Sequence, residues 1–82
     1  MPAKTIHIHY YALLREERGA AEETMKTTAR TVEDLYRELQ KQHPFRLSPD
    51  VLRIAVNDEF VKWNYVLRSN DRIVFIPPAA GG

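Results

Sequence analysis

One stretch constrains the fold of this chain of 82 residues more than any other. Residues 31–43 are the single segment with the periodicity of a long amphipathic helix. Val32, Leu35, Tyr36 and Leu39 recur at i, i+3, i+4 and i+7 and form one apolar stripe. Thr31 is placed to cap the N-terminus, and Asp34 three residues on completes a capping-box pattern. Glu33 and Asp34 in the first turn, with Lys41 and His43 near the last, complement the helix dipole. Pro44 ends the helix. Such a stripe has to be buried, and the chain offers no second long helix to receive it. It must lie on a sheet.

The rest of the sequence supplies the strands. In residues 5–11, Ile6, Ile8 and Tyr10 alternate with His7, His9 and Tyr11, which puts the first set inside. Residues 12–18 hold Leu13 and Leu14 in polar surroundings and read as a single turn closed by Gly19. Residues 22–28 make a second strand with Met25 inward, and the short connection favours an antiparallel pair. After the helix, residues 45–50 are a loop containing Pro49. Residues 52–56 are a strand with Leu52, Ile54 and Val56 inward and Arg53 and Ala55 outward. Asn57-Asp58 is a tight-turn pair, and residues 59–63 return as a short strand. A connector over 64–69 leads to Asn70-Asp71, which launches residues 72–76 with Ile73 and Phe75 on one face and Val74 and Ile76 on the other. This order predicts an α+β fold, the ubiquitin-like β-grasp: a mixed sheet of about five strands with one long helix packed across it. By analogy with that fold, and consistent with right-handed crossovers, the first and last strands are expected to be parallel and central. Residues 1–76 form the domain, and residues 77–82 are expected to be a flexible C-terminal tail.

Composition removes whole classes of function. A formal net charge of +1 predicts no strong attraction to nucleic acid or to an anionic membrane. No apolar run approaches membrane-span length and residues 1–4 lead into no secretory signal, so a cytoplasmic location is expected. The chain has no cysteine, hence no disulfide, thiolate metal site or cysteine nucleophile. His7 and His9 point the same way from a strand, but no further ligands are spaced to join them, so no metal site is assigned. His43 reads as a partner of the helix dipole. No glycine-rich phosphate loop is present, so the chain is expected to bind neither ATP nor any other cofactor itself. The aspartates at the cap and turns have structural work to do. An independent active site is not expected.

Chemistry is left to the last residues and to one face. Pro77-Pro78 ends the final strand, because proline has no N–H to donate and favours an extended course. Ala79, Ala80, Gly81 and Gly82 follow, almost without side chains. Six extended residues reach roughly 20 Å. A tail so thin can enter a channel in another protein, and glycine lets the backbone approach a reacting centre closely. A terminal carboxylate on Gly82 is ionised at neutral pH and resists nucleophilic attack, so it needs activation, most simply as an acyl-adenylate made by another enzyme with ATP. A frayed end is the plain alternative for a glycine pair standing alone. The second feature is an outward apolar set, in which Val74 and Ile76 stand beside Tyr11 and Ala55, with Phe60 past the hairpin. Such patches mark partner surfaces, although scattered surface hydrophobes would look the same from sequence.

At these residues the sequence resembles a known family. Tyr10-Tyr11-Ala12-Leu13-Leu14-Arg15-Glu16 with Gly19 resembles its Phe-Phe-Ala-x-Leu-Arg-Glu-x-x-Gly pattern. Thr31-Val32-Glu33-Asp34-Leu35 is similar to its Thr-Val-x-x-Leu helix start, and Val56-Asn57-Asp58-Glu59-Phe60-Val61 to its Val-Asn-x-x-x-Val hairpin. Ile76-Pro77-Pro78-Ala79-Ala80-Gly81-Gly82 resembles its Pro-Pro-x-x-Gly-Gly tail. The family is the small, sulfur-carrying subunit of molybdopterin synthase. Asn70 stands where that family usually has glycine, but asparagine also tolerates the left-handed region. The resemblance implies that Gly82, next to Gly81, is adenylated by an enzyme similar to those that activate ubiquitin. A sulfur donor, a desulfurase or a rhodanese, would then convert it to a thiocarboxylate. It also implies a large synthase subunit that Tyr11, Phe60, Val74, Ile76, Pro77, Pro78, Ala79 and Ala80 contact and in which a cyclic pterin precursor receives the sulfur. The chain would be the sulfur-donating, non-catalytic subunit of that complex. A carrier for thiazole or transfer-RNA thiolation would share fold and tail, although the stretch from Tyr11 to Glu16 favours molybdopterin over thiazole. A ubiquitin-like protein modifier would form isopeptide bonds through the same residue, and a pure binding module would use the apolar face alone.

Overall fold

The computed structural model describes residues 3–78. Five strands and two helices follow in the order β1 (Lys4–Tyr10), α1 (Ala12–Arg18), β2 (Glu22–Thr27), α2 (Val32–Gln42), β3 (Arg53–Val56), β4 (Glu59–Val61) and β5 (Arg72–Ile76). The sheet order is β2-β1-β5-β3-β4, with β1 and β5 parallel and every other pair antiparallel. This is the mixed β-grasp sheet expected from the sequence, with the first and last strands at its centre.

α2 carries the stripe that organises the fold. Val32, Leu35, Tyr36 and Leu39 are all buried against the sheet. The capping box is complete: the Thr31 hydroxyl accepts from the Asp34 N–H at 3.2 Å, and the Thr31 N–H donates to the Asp34 carboxylate at 3.3 Å. Two more N–H groups of the first turn, those of Val32 and Glu33, donate to the carbonyls of Tyr65 and Trp63 at 3.1 Å. The helix terminus is thereby satisfied by a distant loop as well as by its own cap. Beneath α2 lie Ile6, Ile8 and Tyr10 of β1, Ile73 and Phe75 of β5, and Ile54 and Val56 of β3, the inward residues of their strands.

Several elements depart from the sequence expectation. The segment after β1 is a seven-residue helix, α1, ending at Gly19 in the left-handed region (φ 79°), where a single turn was expected. Leu14 drives it, because its side chain is wholly buried. Phe45, assigned to a loop, is a core residue that stacks on Tyr36 with ring centroids 6.0 Å apart. Pro49–Val51 forms a 3-10 turn capped by Ser48. The connector before β5 brings Leu67 into the core and bridges Val66 to Thr31. β4 stops at Val61, two residues short of the expected end. The turns behave as read: Asn57 (φ 52°), Asp58 (φ 72°) and Asn70 (φ 71°) all take positive φ.

Candidate functional site

Among the described residues no helix covers the second face of the sheet, and strand alternation decides what it shows. Cross-strand partners set out one row across it: Glu22 of β2, His9 of β1, Val74 of β5, Ala55 of β3 and Phe60 of β4. Beside it, Ile76 pairs with Arg53, while Tyr11 follows directly after the Tyr10–Phe75 pair. Tyr11 is 52% exposed and Phe60 69% exposed, the two largest apolar surfaces on the molecule among the described residues. Val74 and Ile76 are half-buried. The outward set read from the sequence therefore occupies one continuous face. Tyr11 holds its place because it is the residue before α1, extended at φ −127° and ψ 154°, so its ring stays out while Tyr10 turns in.

β5 aims the tail. It leaves the centre of the sheet between β1 and β3 and passes into half-buried Pro77 and exposed Pro78. Both prolines border an open groove of about 830 Å3, with Ala12, Leu13, Arg15 and Leu47 among its walls. Sequence reading did not single out that groove. Its signal was two leucines, Leu13 and Leu47, in polar segments far apart in the chain. Ala79, Ala80, Gly81 and Gly82, on which the carrier chemistry was expected, lie outside the described residues.

Two polar networks brace the surroundings. Glu23 accepts from the Tyr10 hydroxyl at 2.7 Å and from Arg18 Nε and Nη2 at 2.7 and 3.2 Å, which ties α1 to the β1–β2 pair. The Arg18 hydrogen bonds hold the Glu23 carboxyl below its ordinary range against the opposing effect of burial, and Tyr10 assists. Burial first, and the Glu23 hydrogen bond second, push the Tyr10 hydroxyl far above the usual tyrosine value. At the other end, buried Asp71 accepts from the Arg68 N–H (2.8 Å), Asn57 Nδ2 (2.9 Å) and the Tyr65 hydroxyl (3.2 Å). This clamps the β3–β4 turn and the connector to the start of β5, so the aspartate is structural.

His7 contacts the Thr24 hydroxyl at 2.9 Å, and His9 lies 3.9 Å from Glu22. Among the described residues, no group of three or more His, Asp or Glu side chains is placed to hold a metal. No helix among them is long and apolar enough to cross a membrane. What this arrangement can do is bind: an apolar face for a partner, and a central strand that leads into Pro77 and Pro78.

The sequence pattern of the ThiS family matches residues 8–82. Curated protein sequences give no significant match. Among solved structures, a putative molybdopterin converting factor, subunit 1, from Pyrococcus furiosus superposes with a TM-score of 0.78 at 28% identity, over 93% of this chain and 99% of that one. Small archaeal modifier protein 1 from Methanosarcina acetivorans superposes at 0.78 with 20% identity over 100% of both chains. A complex of subunits 1 and 2 of the molybdopterin-converting factor from Helicobacter pylori gives 0.64 at 24% identity, over 95% of this chain and 99% of that one.

Proposed function

This chain belongs to the ThiS family and has the fold of the ubiquitin-like sulfur carriers, and from that premise we propose that it carries sulfur for molybdopterin synthesis. Gly82 is the carrier atom's site. Its carboxylate attacks the α-phosphorus of ATP on a separate adenylating enzyme, and pyrophosphate leaves. The outer sulfur of the donor's persulfide then displaces AMP, and a thiol cleaves the resulting acyl disulfide to leave a thiocarboxylate. The tail from Pro77 to Gly82 enters the large synthase subunit, while Tyr11, Phe60, Val74 and Ile76 seat the domain against it. There the sulfur passes to the pterin precursor and the carboxylate returns. The observation that carries this reading is the family match running to residue 82, on a fold whose central strand ends at Ile76. Support for the pathway comes from the Pyrococcus furiosus likeness, since that protein is described as a molybdopterin converting factor subunit.

The likeness to a small archaeal modifier protein favours a second use of the same terminus, conjugation to lysines of other proteins. One experiment separates the two. The purified chain is mixed with its adenylating enzyme, ATP and a sulfur donor, and intact mass and the C-terminal peptide are measured. Exchange of one oxygen for sulfur at Gly82 only, abolished without ATP, is expected. Appending one residue after Gly82 is expected to abolish sulfur transfer while leaving the fold intact. If the extended chain still supports dithiolene formation with the large subunit, this reading fails. Isopeptide-linked products in place of the thiocarboxylate would establish the modifier reading.

A further inference from the structure

At its β4 edge the outward face changes character. The β3–β4 ladder ends at the Ile54–Val61 pair; Arg53 precedes Ile54 and Lys62 follows Val61, so both stand at that same end, and both are exposed. Arg53 is the cross-strand partner of Ile76. Lys62 lies two residues after Phe60, just past the end of β4. Like charges brought to one end of a strand pair repel each other. Elsewhere the fold pairs many of its arginines with acids: Arg18 with Glu23, Arg37 with Glu33, Arg46 with Glu17 and Arg72 with Asp58. Arg53 and Lys62 take part in none of the ion pairs among the described residues.

A cleft of about 220 Å3 opens at the same corner, lined by Leu52, Arg53, Ile54, Phe60, Val61 and Trp63. Its walls are apolar and aromatic, and Arg53 supplies its charge. It falls below the ~300–1,000 Å3 typical of small-molecule sites, so it suits one side chain of a docked protein rather than a free ligand. The formal net charge of +1 and the adjoining apolar row argue against a nucleic acid or an anionic membrane as the occupant.

We propose that this corner selects the docking partner: it takes a protein surface that seats one apolar side chain in the cleft and sets carboxylates beside Arg53 and Lys62. The proposal rests on the reading that the outward face docks the large synthase subunit, and it adds the chemistry that subunit must present. Arg53 and Lys62 steer the encounter, because charges at the rim of an interface act mainly on association rate and salt dependence. Ile76 and Phe60 supply the apolar contact itself.

The test uses the full chain and the large synthase subunit of the same cell, with association followed by biolayer interferometry at about 50 and about 300 mM salt. The double variant Arg53→Glu/Lys62→Glu is compared with Arg53→Lys/Lys62→Arg, with Lys62→Glu alone and with Ile76→Asp. Circular dichroism verifies that each is folded. Charge reversal is expected to slow association about tenfold or more at low salt, with the gap closing at high salt. The charge-conserving variant should bind like the parent, and Lys62→Glu alone should fall between. If charge reversal leaves the low-salt rate unchanged while Ile76→Asp binds poorly, the cationic corner is overturned and the docking face stands. If Ile76→Asp also binds normally, or the parent chain does not bind the large subunit at all, the docking reading falls and takes this proposal with it.

Discussion

Phe75 and Ile76 are neighbours on β5 with opposite surroundings. Phe75 is wholly buried beneath α2, with its ring 5.2 Å from Tyr36 and 6.2 Å from Trp63. Ile76 faces the uncovered side, half-buried between Arg53 and the chain at Tyr11. The same division runs through β1, where Ile8 is buried and His9 is not, and through β3, where Ile54 is buried and Arg53 is exposed. One sheet thus serves two purposes. Its covered face makes the domain stable, and its bare face is free to be apolar for another reason. An apolar side chain that contributes little to folding is the kind that a partner can use.

The sharpest test of that contrast is to truncate the covered residue. Phe75→Ala is expected to destabilise the domain by about 3–5 kcal/mol, read from urea unfolding, because it removes an aromatic ring from a closed core. A loss below about 1 kcal/mol would mean that the two faces do not differ. Ile76→Asp is the matching change on the bare side. Stability should fall by less than about 1 kcal/mol, while affinity for the large subunit drops on the order of a hundredfold, about 2.7 kcal/mol, since a charge would be buried without a partner. If Ile76→Asp unfolds the chain instead, the bare face is part of the fold.

Ionisation sharpens the comparison further, because the covered side holds the perturbed groups. Glu23, held low chiefly by Arg18, contributes stability that is present above the unfolded carboxylate value near ~4.3 and lost as pH falls through its lower folded value. Glu23→Gln should cost about 1.5–3 kcal/mol at neutral pH and remove that part of the acid sensitivity. Tyr36, whose hydroxyl donates to the Leu47 carbonyl at 2.8 Å, is pushed up to about 12 by burial, with the Glu17 charge adding to it. Its contribution is complete below the unfolded value near ~10 and is lost between there and about 12. Tyr36→Phe should flatten the alkaline limb of a stability–pH curve. The smallest effect is expected at Gly19, where φ is 79° and an added Cβ meets nothing within 4 Å. Gly19→Ala should therefore cost only the conformational strain, about 1 kcal/mol in thermal unfolding.

Much of this was legible before any coordinates. The α2 stripe, the alternation of β1, β3 and β5, and the Asn57-Asp58 turn are local patterns, written within a few residues of one another, and they set the fold class and the outward set. What local patterns do not contain is who meets whom across the chain. Phe45 entered the core because it reaches Tyr10 and Tyr36, with centroids at 5.6 and 6.0 Å, and nothing in a proline-flanked polar stretch announces that meeting. Glu23 and Arg18 have nothing in their spacing that marks a brace, yet they close around the Tyr10 hydroxyl. The 64–69 connector looked featureless because its function lies in the backbone: the Tyr65 carbonyl, like that of Trp63 just before the connector, accepts from the first turn of α2. Arg53 and Lys62 reach the same end of the β3–β4 pair only through that pairing, which gathers separate surface charges at one corner. Periodicity determined which side chains turn inward, since each strand or helix carries its own period. Strand order and register, set by the closing of the whole core, decided which of the outward ones share a surface.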